Sequence, residues 1–327
     1  MNKRLLAVPL VIALCTFIVV NLAMEKWHNR LLTTQKLNRI TAPSSANVVL
    51  VGNSLLDGYV DPKTFSEVAQ SESKDLHVVD AALLGSGPPV QSLLFQQAEK
   101  SHPLKTVVIG FMDFQLTVTD TTHPMDILGS SVIVFDKRVS VSDAANAYNF
   151  GMLDRLQFAL LRSLPILAYR GNAWKYVEVL RRKMSGMGMP PTKEEFADLE
   201  MANLAAFDRE AQTFATNPTH LNKPMERILQ DSKKQGYNVI LVLMPVSPSH
   251  VAKYYTRPSW IAYEAAMKSF SRERGLSFVD GTSWFDRPED FKDKLHLRVT
   301  PNLHLTECLA SAVVQSDSQR RAEISTK

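Results

Sequence analysis

The chain has 327 residues, of which 45% are hydrophobic and 21% charged, and its formal net charge is +4. This length suffices for one large α/β domain, or for one domain with an inserted subdomain. A charge this small, dispersed along the chain, gives no support for nucleic acid as a partner. Cys15 and Cys308 do not have the spacing of a zinc site.

The N-terminus has the composition of a membrane anchor. Residues 1–4 form a short tail, and residues 5–24 carry no charge. About 20 apolar residues are enough to span a bilayer as a helix. This apolar stretch is longer than that of a cleaved signal peptide, so a retained transmembrane anchor is predicted. Polar residues 25–46 are predicted to be a stalk to a domain at 47–327.

The charges flanking the anchor fit either orientation in the membrane. Lys3 and Arg4 favour a cytoplasmic N-terminus, whereas Lys26 and Arg30 on the other side compete with them. Because a short tail before a single anchor usually stays inside, we expect a single-pass protein of the cell inner membrane. The remaining domain is then expected in the periplasm or otherwise outside the cytoplasm.

Short β-branched runs recur along the rest of the chain. They occupy residues 47–51, 77–79, 106–109, 238–243 and 276–279. Continuous runs of this kind are typical of strands covered on both faces of a parallel sheet. Helical stretches lie between them, one opening at Asp61-Pro62 and another ending at Gly236. The alternation predicts an α/β fold with a parallel sheet and helices on both faces.

An interval longer than a crossover requires separates the third and fourth runs. Residues 117–222 contain helical patterns at 153–164 and 173–185, and a third that opens with the capping box Thr192-x-x-Glu195. A mostly helical insertion is predicted. It could be a lid or an acceptor-binding surface, or it could be structural and pack against a membrane partner.

Three loops that follow predicted strands carry candidate functional residues. Gly52-Asn53-Ser54-Leu55 follows the first strand, Gly85-Ser86-Gly87 comes after the second, and Asp293-x-x-His296 lies beyond the last. In such sheets ligands bind at the carboxyl ends of strands. A serine needs a base and oxyanion donors to act as a nucleophile, a carboxylate can orient the histidine, and glycines allow close backbone approach.

Together these loops resemble the motifs of the SGNH/GDSL hydrolase superfamily, in layout over about residues 47–312. Gly52-Asn53-Ser54-Leu55 is similar to the family's Gly-Asp-Ser-Leu block, with asparagine in place of aspartate. The resemblance implies a flavodoxin-like, three-layer fold and acyl-ester chemistry. It also implies that Ser54 is the nucleophile, His296 the base and Asp293 its orienting acid. Backbone N–H groups of Ser54 and Gly85 would then help to form the oxyanion hole.

The third family block departs from its pattern. Gly-x-Asn-Asp is expected, but the sequence reads Gly110-Phe111-Met112-Asp113. Loss of one oxyanion donor typically lowers turnover by about 100- to 1000-fold. Asn53, Gly110 and Asp113 stay candidate oxyanion or substrate-binding residues, although Asp113 also fits a helix N-cap.

The other histidines are weaker candidates. His304 has Pro301 at the position where an orienting aspartate would stand, and His250 has the character of an ordinary loop histidine. No histidine or cysteine spacing fits a metal site, and no phosphate-binding loop is present, so no metal or cofactor is expected.

The predicted function is that of a membrane-anchored serine esterase or O-acyltransferase. Its expected substrate is an acyl ester, with acetyl the first choice, of a cell-envelope glycan. The expected partner is a multi-spanning membrane protein that donates the acyl group. The alternative is a non-catalytic SGNH-like protein that binds glycan or scaffolds an envelope polysaccharide assembly, and Met112 favours it.

Overall fold

A computed structural model describes residues 15, 16, 19, 32–118, 136–162 and 193–325. The predicted anchor at 5–24 and the helical pattern at 173–185 lie almost wholly outside these residues. Among the described residues, no helix is long and apolar enough to cross a membrane. The chain divides by its contacts into two compact units, one of Met1–Arg39 with Thr121–Met189 and one of Ile40–Asp120 with Pro190–Lys327.

The unit of Ile40–Asp120 and Pro190–Lys327 is built on a parallel sheet. Its five strands lie in the order β2-β1-β3-β4-β5. They are β1 Val48–Val51, β2 Val78–Asp80, β3 Thr106–Phe111, β4 Asn238–Leu243 and β5 Ser277–Asp280. This is the flavodoxin-like order, in which the chain reverses direction across the sheet between β1 and β3. The predicted parallel sheet is therefore confirmed.

Helices alternate with these strands. In chain order they are α1 Leu32–Ile40, α2 Pro62–Ser71, α3 Pro88–Ser101, α4 Val141–Ala147, α5 Met152–Arg162, α6 Lys193–Thr216, α7 Lys223–Gln235, α8 Pro248–His250, α9 Pro258–Glu273 and α10 Leu303–Ser325. A π-helical turn Val251–Tyr255 follows α8, and a 3₁₀ turn Pro288–Asp290 follows β5.

The helix boundaries follow the local sequence. Asp61 caps α2, where its side chain accepts a hydrogen bond from the Thr64 N–H, and a proline occupies the first turn. Gly236 ends α7 in the left-handed conformation with φ 73°. Both signals were predicted from the sequence and are confirmed.

Helices cover the sheet on both sides. Every residue of β1, β3 and β4 is buried. Since successive side chains of a strand point to opposite faces, both faces must be covered. Helix α2 packs against α10, and α3 packs against α7.

Helix α6 falls within the predicted insertion, yet it belongs to the unit that contains the sheet. The reason is aromatic packing. Phe207 of α6 lies with its ring 5.8 Å from that of Trp260 in α9, and Phe214 lies 5.2 Å from Tyr263. Aromatic pairs at these distances add roughly 0.5–1.5 kcal/mol each beyond area burial.

The other unit has two described helices from the same predicted insertion. Ser140 and Asp143 form a reciprocal capping box at the start of α4. Helix α5 carries large exposed apolar side chains, with Met152 and Leu153 each 80% exposed and Leu156 57% exposed.

Candidate active site

Ser54 lies in a tight turn directly after β1. The Asn53 carbonyl accepts hydrogen bonds from the N–H groups of Leu56 and Asp57, and the Asn53 side-chain oxygen accepts one from Leu55 at 3.0 Å. Asn53 therefore shapes the turn through its own side chain. Leu55 and Leu56 are buried and join the core, so the turn is fixed on its inner side while Ser54 stays half-buried at the sheet edge.

Two aspartates that sequence reasoning missed join this turn to the loop after β2. The Leu84 N–H donates to Asp57 at 2.8 Å, and the Gly58 N–H donates to Asp80 at 3.1 Å. These crossed bonds fix the position of Gly85, which has φ 69° in the left-handed region. Their positions near the carboxyl ends of β1 and β2 were the one signal in the sequence.

The N–H groups of Ser54 and Gly85 are the backbone donors that the family resemblance assigns to the oxyanion hole. In the described part of the chain, neither group donates to another protein atom. Next to Gly85, the Ser86 hydroxyl donates to the Gly52 carbonyl at 3.1 Å and links this loop to the serine turn. Among the described residues, both N–H groups therefore lack a protein acceptor and are available to a bound substrate.

Asp293 and His296 share a compact loop between β5 and α10. The Lys292 N–H donates to the His296 carbonyl at 2.9 Å, and Phe291 forms an antiparallel bridge with Leu297. Across this loop, Asp293 Oδ1 accepts the N–H groups of both Leu295 and His296 at 2.8 Å. The carboxylate therefore holds the loop and faces the imidazole at the same time.

The structure brings Ser54, His296 and Asp293 into one hydrogen-bonded line. His296 Nε2 lies 2.8 Å from Ser54 Oγ, although the two residues are 242 positions apart. His296 Nδ1 lies 2.9 Å from Asp293 Oδ2. A carboxylate at Nδ1 retains the proton there, which leaves Nε2 as the acceptor for the serine hydroxyl.

The surroundings of Asp293 keep it ionised. Partial burial by itself raises the pKa of the carboxyl group, but the hydrogen bonds from Leu295, His296 and the imidazole outweigh it and hold the pKa below its usual range. The Asp293 side chain is 50% exposed and that of His296 is 23% exposed. The acid–base pair is therefore reachable from solvent.

Tyr59 supports the histidine loop from the serine side. It is buried, and its hydroxyl donates to the Leu297 carbonyl at 2.8 Å. Its own carbonyl accepts the Asn302 N–H at 2.8 Å. Tyr59 thus joins the loop that carries Ser54 to the loop that carries His296, a contact that its sequence position gave no reason to expect.

The end of β3 and the loop after it contain Gly110 and Met112, whose packing the sequence did not reveal. Gly110 is buried inside β3 and paired with Val242, where a Cβ atom would overlap the Leu56 side chain. Gly110 therefore leaves room for the Leu56 side chain, and its expected oxyanion or substrate-binding role stays a prediction. Met112 packs partly buried against the core, and its N–H donates to Gln115 Oε1 at 3.2 Å.

Asp113 does not cap a helix. Its backbone has φ 47°, its N–H donates to the Tyr255 hydroxyl at 3.3 Å, and its carboxylate lies 3.1 Å from His250 Nε2. A non-glycine residue in this conformation costs roughly 1–3 kcal/mol, so its surroundings must hold it there. Burial raises the pKa of Tyr255 well above its usual value, and the charge of Asp113 adds to the increase.

The two secondary histidines have different outcomes. His304 Nε2 lies 3.1 Å from the Trp284 carbonyl and its ring stands edge-on to Phe285, as expected for a structural residue. His250 is not the ordinary loop residue that was expected, because it is buried and paired with Asp113. The 137 positions between these two residues explain why the sequence did not reveal the pair.

The fold and geometry together define a serine–histidine–aspartate triad at the carboxyl edge of a flavodoxin-like sheet. No family model and no curated protein matches the chain. Solved structures that match include lipases, an esterase and acylhydrolases, and two of them are named as GDSL-type proteins, the family that the three motifs resemble.

Three of these structures illustrate the extent of the similarity. A lipase/acylhydrolase from Enterococcus faecalis has 12% identity and a TM-score of 0.39, with 84% of this chain and 96% of that chain covered. A GDSL-like lipase from Bacteroides thetaiotaomicron has 10% identity and a TM-score of 0.37, covering 89% and 98%. A psychrotrophic esterase from Pseudoalteromonas sp. has 9% identity and a TM-score of 0.38, covering 84% and 98%. At identities and TM-scores this low, the reaction class is inferred from the geometry of the triad and not from these structures.

Proposed function

We propose that this chain is an SGNH-type serine enzyme that hydrolyses or transfers acyl esters. The observation that carries the proposal is the continuous line from Ser54 Oγ to His296 Nε2 at 2.8 Å and from His296 Nδ1 to Asp293 at 2.9 Å. Such a line is what a serine requires in order to lose its proton while it attacks a carbonyl.

The chemistry follows from these positions. Ser54 Oγ forms a bond to the ester carbonyl carbon while its proton passes to His296 Nε2, and the carbonyl oxygen becomes an oxyanion. The N–H groups of Ser54 and Gly85 are the donors proposed to stabilise this charge. When the tetrahedral intermediate collapses, the C–O bond breaks and His296 returns the proton to the departing alcohol. A water or sugar hydroxyl then forms a bond to the acyl carbon while its proton passes to His296 Nε2. The bond between the acyl carbon and Ser54 Oγ breaks, and His296 returns the proton to Ser54.

The finer part of the proposal concerns location and substrate. With residues 5–24 as an anchor in the cell inner membrane, the domain would act outside the cytoplasm on acyl groups, acetyl first, of an envelope glycan. A multi-spanning membrane protein would supply the acyl group if the reaction is a transfer. The exposed apolar side chains of α5 are compatible with a membrane or partner surface.

A non-catalytic role in binding glycan or scaffolding an envelope assembly is the second candidate. The observation that favours it is Met112, which packs its side chain against the core where the family has an amide donor. The two candidates differ in what they require of Ser54. An enzyme loses its activity with Ser54→Ala, whereas a scaffold continues to work with the same substitution.

Covalent labelling with a fluorophosphonate probe tests the proposal. The purified full chain should become labelled, and Ser54→Ala should abolish the label. His296→Ala should slow labelling strongly, because the serine loses its base. His304→Ala is the matched control and should label like the wild type, since His304 bonds only to groups outside the triad. A folded wild type that takes no label would contradict the enzyme and favour the scaffold.

A further inference from the structure

We infer that Asp113 and His250 form a positioning pair that sets the loop of Asp293 and His296 through one backbone hydrogen bond from Ser247 to Lys294. The inference rests on the proposed function, because it assigns these residues a part in holding the base against Ser54. It concerns a second aspartate–histidine pair, separate from the triad, at the ends of β3 and β4.

The first step is that His250 is buried, Asp113 is partly buried, and the pair is held from several directions. The exposed fraction of the side chain is 8% for His250 and 22% for Asp113, with 3.1 Å between His250 Nε2 and Asp113 Oδ1. The His250 ring stands edge-on to Tyr255 at 5.3 Å between centroids, and the Tyr255 hydroxyl accepts the Asp113 N–H. Breaking such a pair leaves a buried polar group without its partner, which is costly.

The second step is that His250 is fixed to the turn after β4. Its N–H donates to the Ser247 carbonyl at 2.9 Å, and the Ser247 side chain caps the same short helix α8. Ser247 is itself buried, with 5% of its surface exposed. The position of His250 against Asp113 therefore determines where the Ser247 backbone lies relative to the end of β3.

The third step connects this turn to the triad. The Ser247 N–H donates to the Lys294 carbonyl at 3.1 Å. Lys294 lies between Asp293 and His296 in the chain, inside the loop whose amides bond to the Asp293 carboxylate. Phe291 and Leu297 anchor the two ends of this loop in the core, whereas the Asp293 side chain between them is half-exposed, so the bond to the Lys294 carbonyl contributes to the position of its middle part.

Ser247 offers a substitution that removes this connection, together with a matched control for the hydroxyl that is lost with it. Its φ of −58° and ψ of 149° fit proline, which lacks the donating N–H. Val246 before it is β-branched and favours the extended conformation that a following proline requires. Ser247→Pro removes the N–H and the hydroxyl, whereas Ser247→Ala removes the hydroxyl alone and is the matched control.

The test is amide hydrogen exchange at Leu295 and His296 in the full chain, measured residue by residue. Ser247→Pro and His250→Ala should each accelerate exchange at these two amides roughly fivefold, the ratio for one hydrogen bond of average net strength. Ser247→Ala should change either amide by less than roughly twofold, because it keeps the backbone bonds from His250 to Ser247 and from Ser247 to Lys294. The double variant of Ser247→Pro with His250→Ala should add little to either, because both act through the same bond.

A purely structural role would give a different pattern. Lys74→Met breaks the Lys74–Asp317 pair at 2.9 Å, away from the triad, and serves as a control for lost stability. It should speed exchange only at amides that open with the whole domain. His250→Gln, whose amide can still donate to Asp113, should restore much of the wild-type protection. Unchanged exchange in Ser247→Pro, or equal acceleration in Lys74→Met, would overturn the inference.

Fluorophosphonate labelling of the same variants then separates this inference from the proposed function. If the pair positions the base, labelling of Ser54 should slow in Ser247→Pro and His250→Ala in proportion to the change in exchange. A wild type that takes no label would refute the proposed function, yet exchange at Leu295 and His296 would still decide whether the pair positions the loop.

Discussion

Gly110→Ala probes the contact on which the serine turn rests. A Cβ atom at Gly110 would lie 3.0 Å from Leu56 Cγ and 3.0 Å from Met244 Sδ, and it would overlap Leu56 Cδ1. Leu56 is completely buried and cannot move its side chain into solvent. Gly110 is not among the residues with a left-handed backbone, so the cost is one of space alone.

The expected magnitude follows from this overlap. Adding a methyl group to a filled core costs about 1–3 kcal/mol of unfolding free energy. Leu56→Ala alone should cost about 2–5 kcal/mol, because it leaves a cavity. In the double variant the new methyl group occupies space that Leu56 has vacated. The combined loss should therefore be smaller than the sum of the two single losses by about 1 kcal/mol or more.

Urea unfolding of the three variants measures these free energies, and probe labelling of Ser54 reports on the turn. Labelling should fall in Gly110→Ala, because Leu56 follows the serine by two positions and its N–H bonds to the Asn53 carbonyl. Labelling should recover in part in the double variant. Strictly additive losses would refute the reasoning, since they would mean that Leu56 does not fill the space over Gly110.

Three further variants test other parts of the unit. Asp293→Asn should slow labelling by roughly 10⁴-fold, the loss found when a triad aspartate no longer fixes the histidine tautomer, and a wild-type rate would exclude Asp293 as the orienting acid. Tyr59→Phe should lower the free energy of unfolding in urea by about 1 kcal/mol and should slow labelling of Ser54. No change in either measurement would show that the buried bond to Leu297 does not support the loop. Hydrogen bonds from Arg257 and Ser259 lower the pKa of Asp208 to about 2. The ionised carboxylate therefore contributes to folding stability above the pKa that it has in the unfolded chain, and this contribution is lost as the pH falls towards about 2. The melting temperature of wild type minus that of Asp208→Asn should shrink between pH 5 and pH 2.5, and a constant difference would contradict this.

The sequence predicted the sheet well, because strands buried on both faces must be apolar throughout. The predicted runs at 106–109 and 238–243 correspond to β3 at Thr106–Phe111 and β4 at Asn238–Leu243. The triad could be predicted for a different reason. Its residues lie in loops after strands, in short motifs whose order resembles that of the SGNH/GDSL superfamily, and the roles of Ser54, His296 and Asp293 came from that resemblance.

The contacts that hold the triad were not predictable in this way. The bonds from Leu84 to Asp57, from Tyr59 to Leu297 and from His250 to Asp113 each join loops distant in sequence. Which loops meet depends on the strand order and on the exact length of each connection. The packing of Gly110 was not predictable for the same reason, since the side chain that fills the space above it comes from another loop.

The half-exposed carboxylate of Asp293 bears on the fate of an acylated Ser54. Because the Asp293 side chain is half-exposed and that of His296 is partly exposed, water reaches the base directly. Water and any sugar hydroxyl would therefore compete to attack the acyl group on Ser54. Transfer could prevail only if the glycan remained bound for longer than the interval between attacks by water. The residence time of the acceptor, more than exclusion of water, would then decide between hydrolase and transferase.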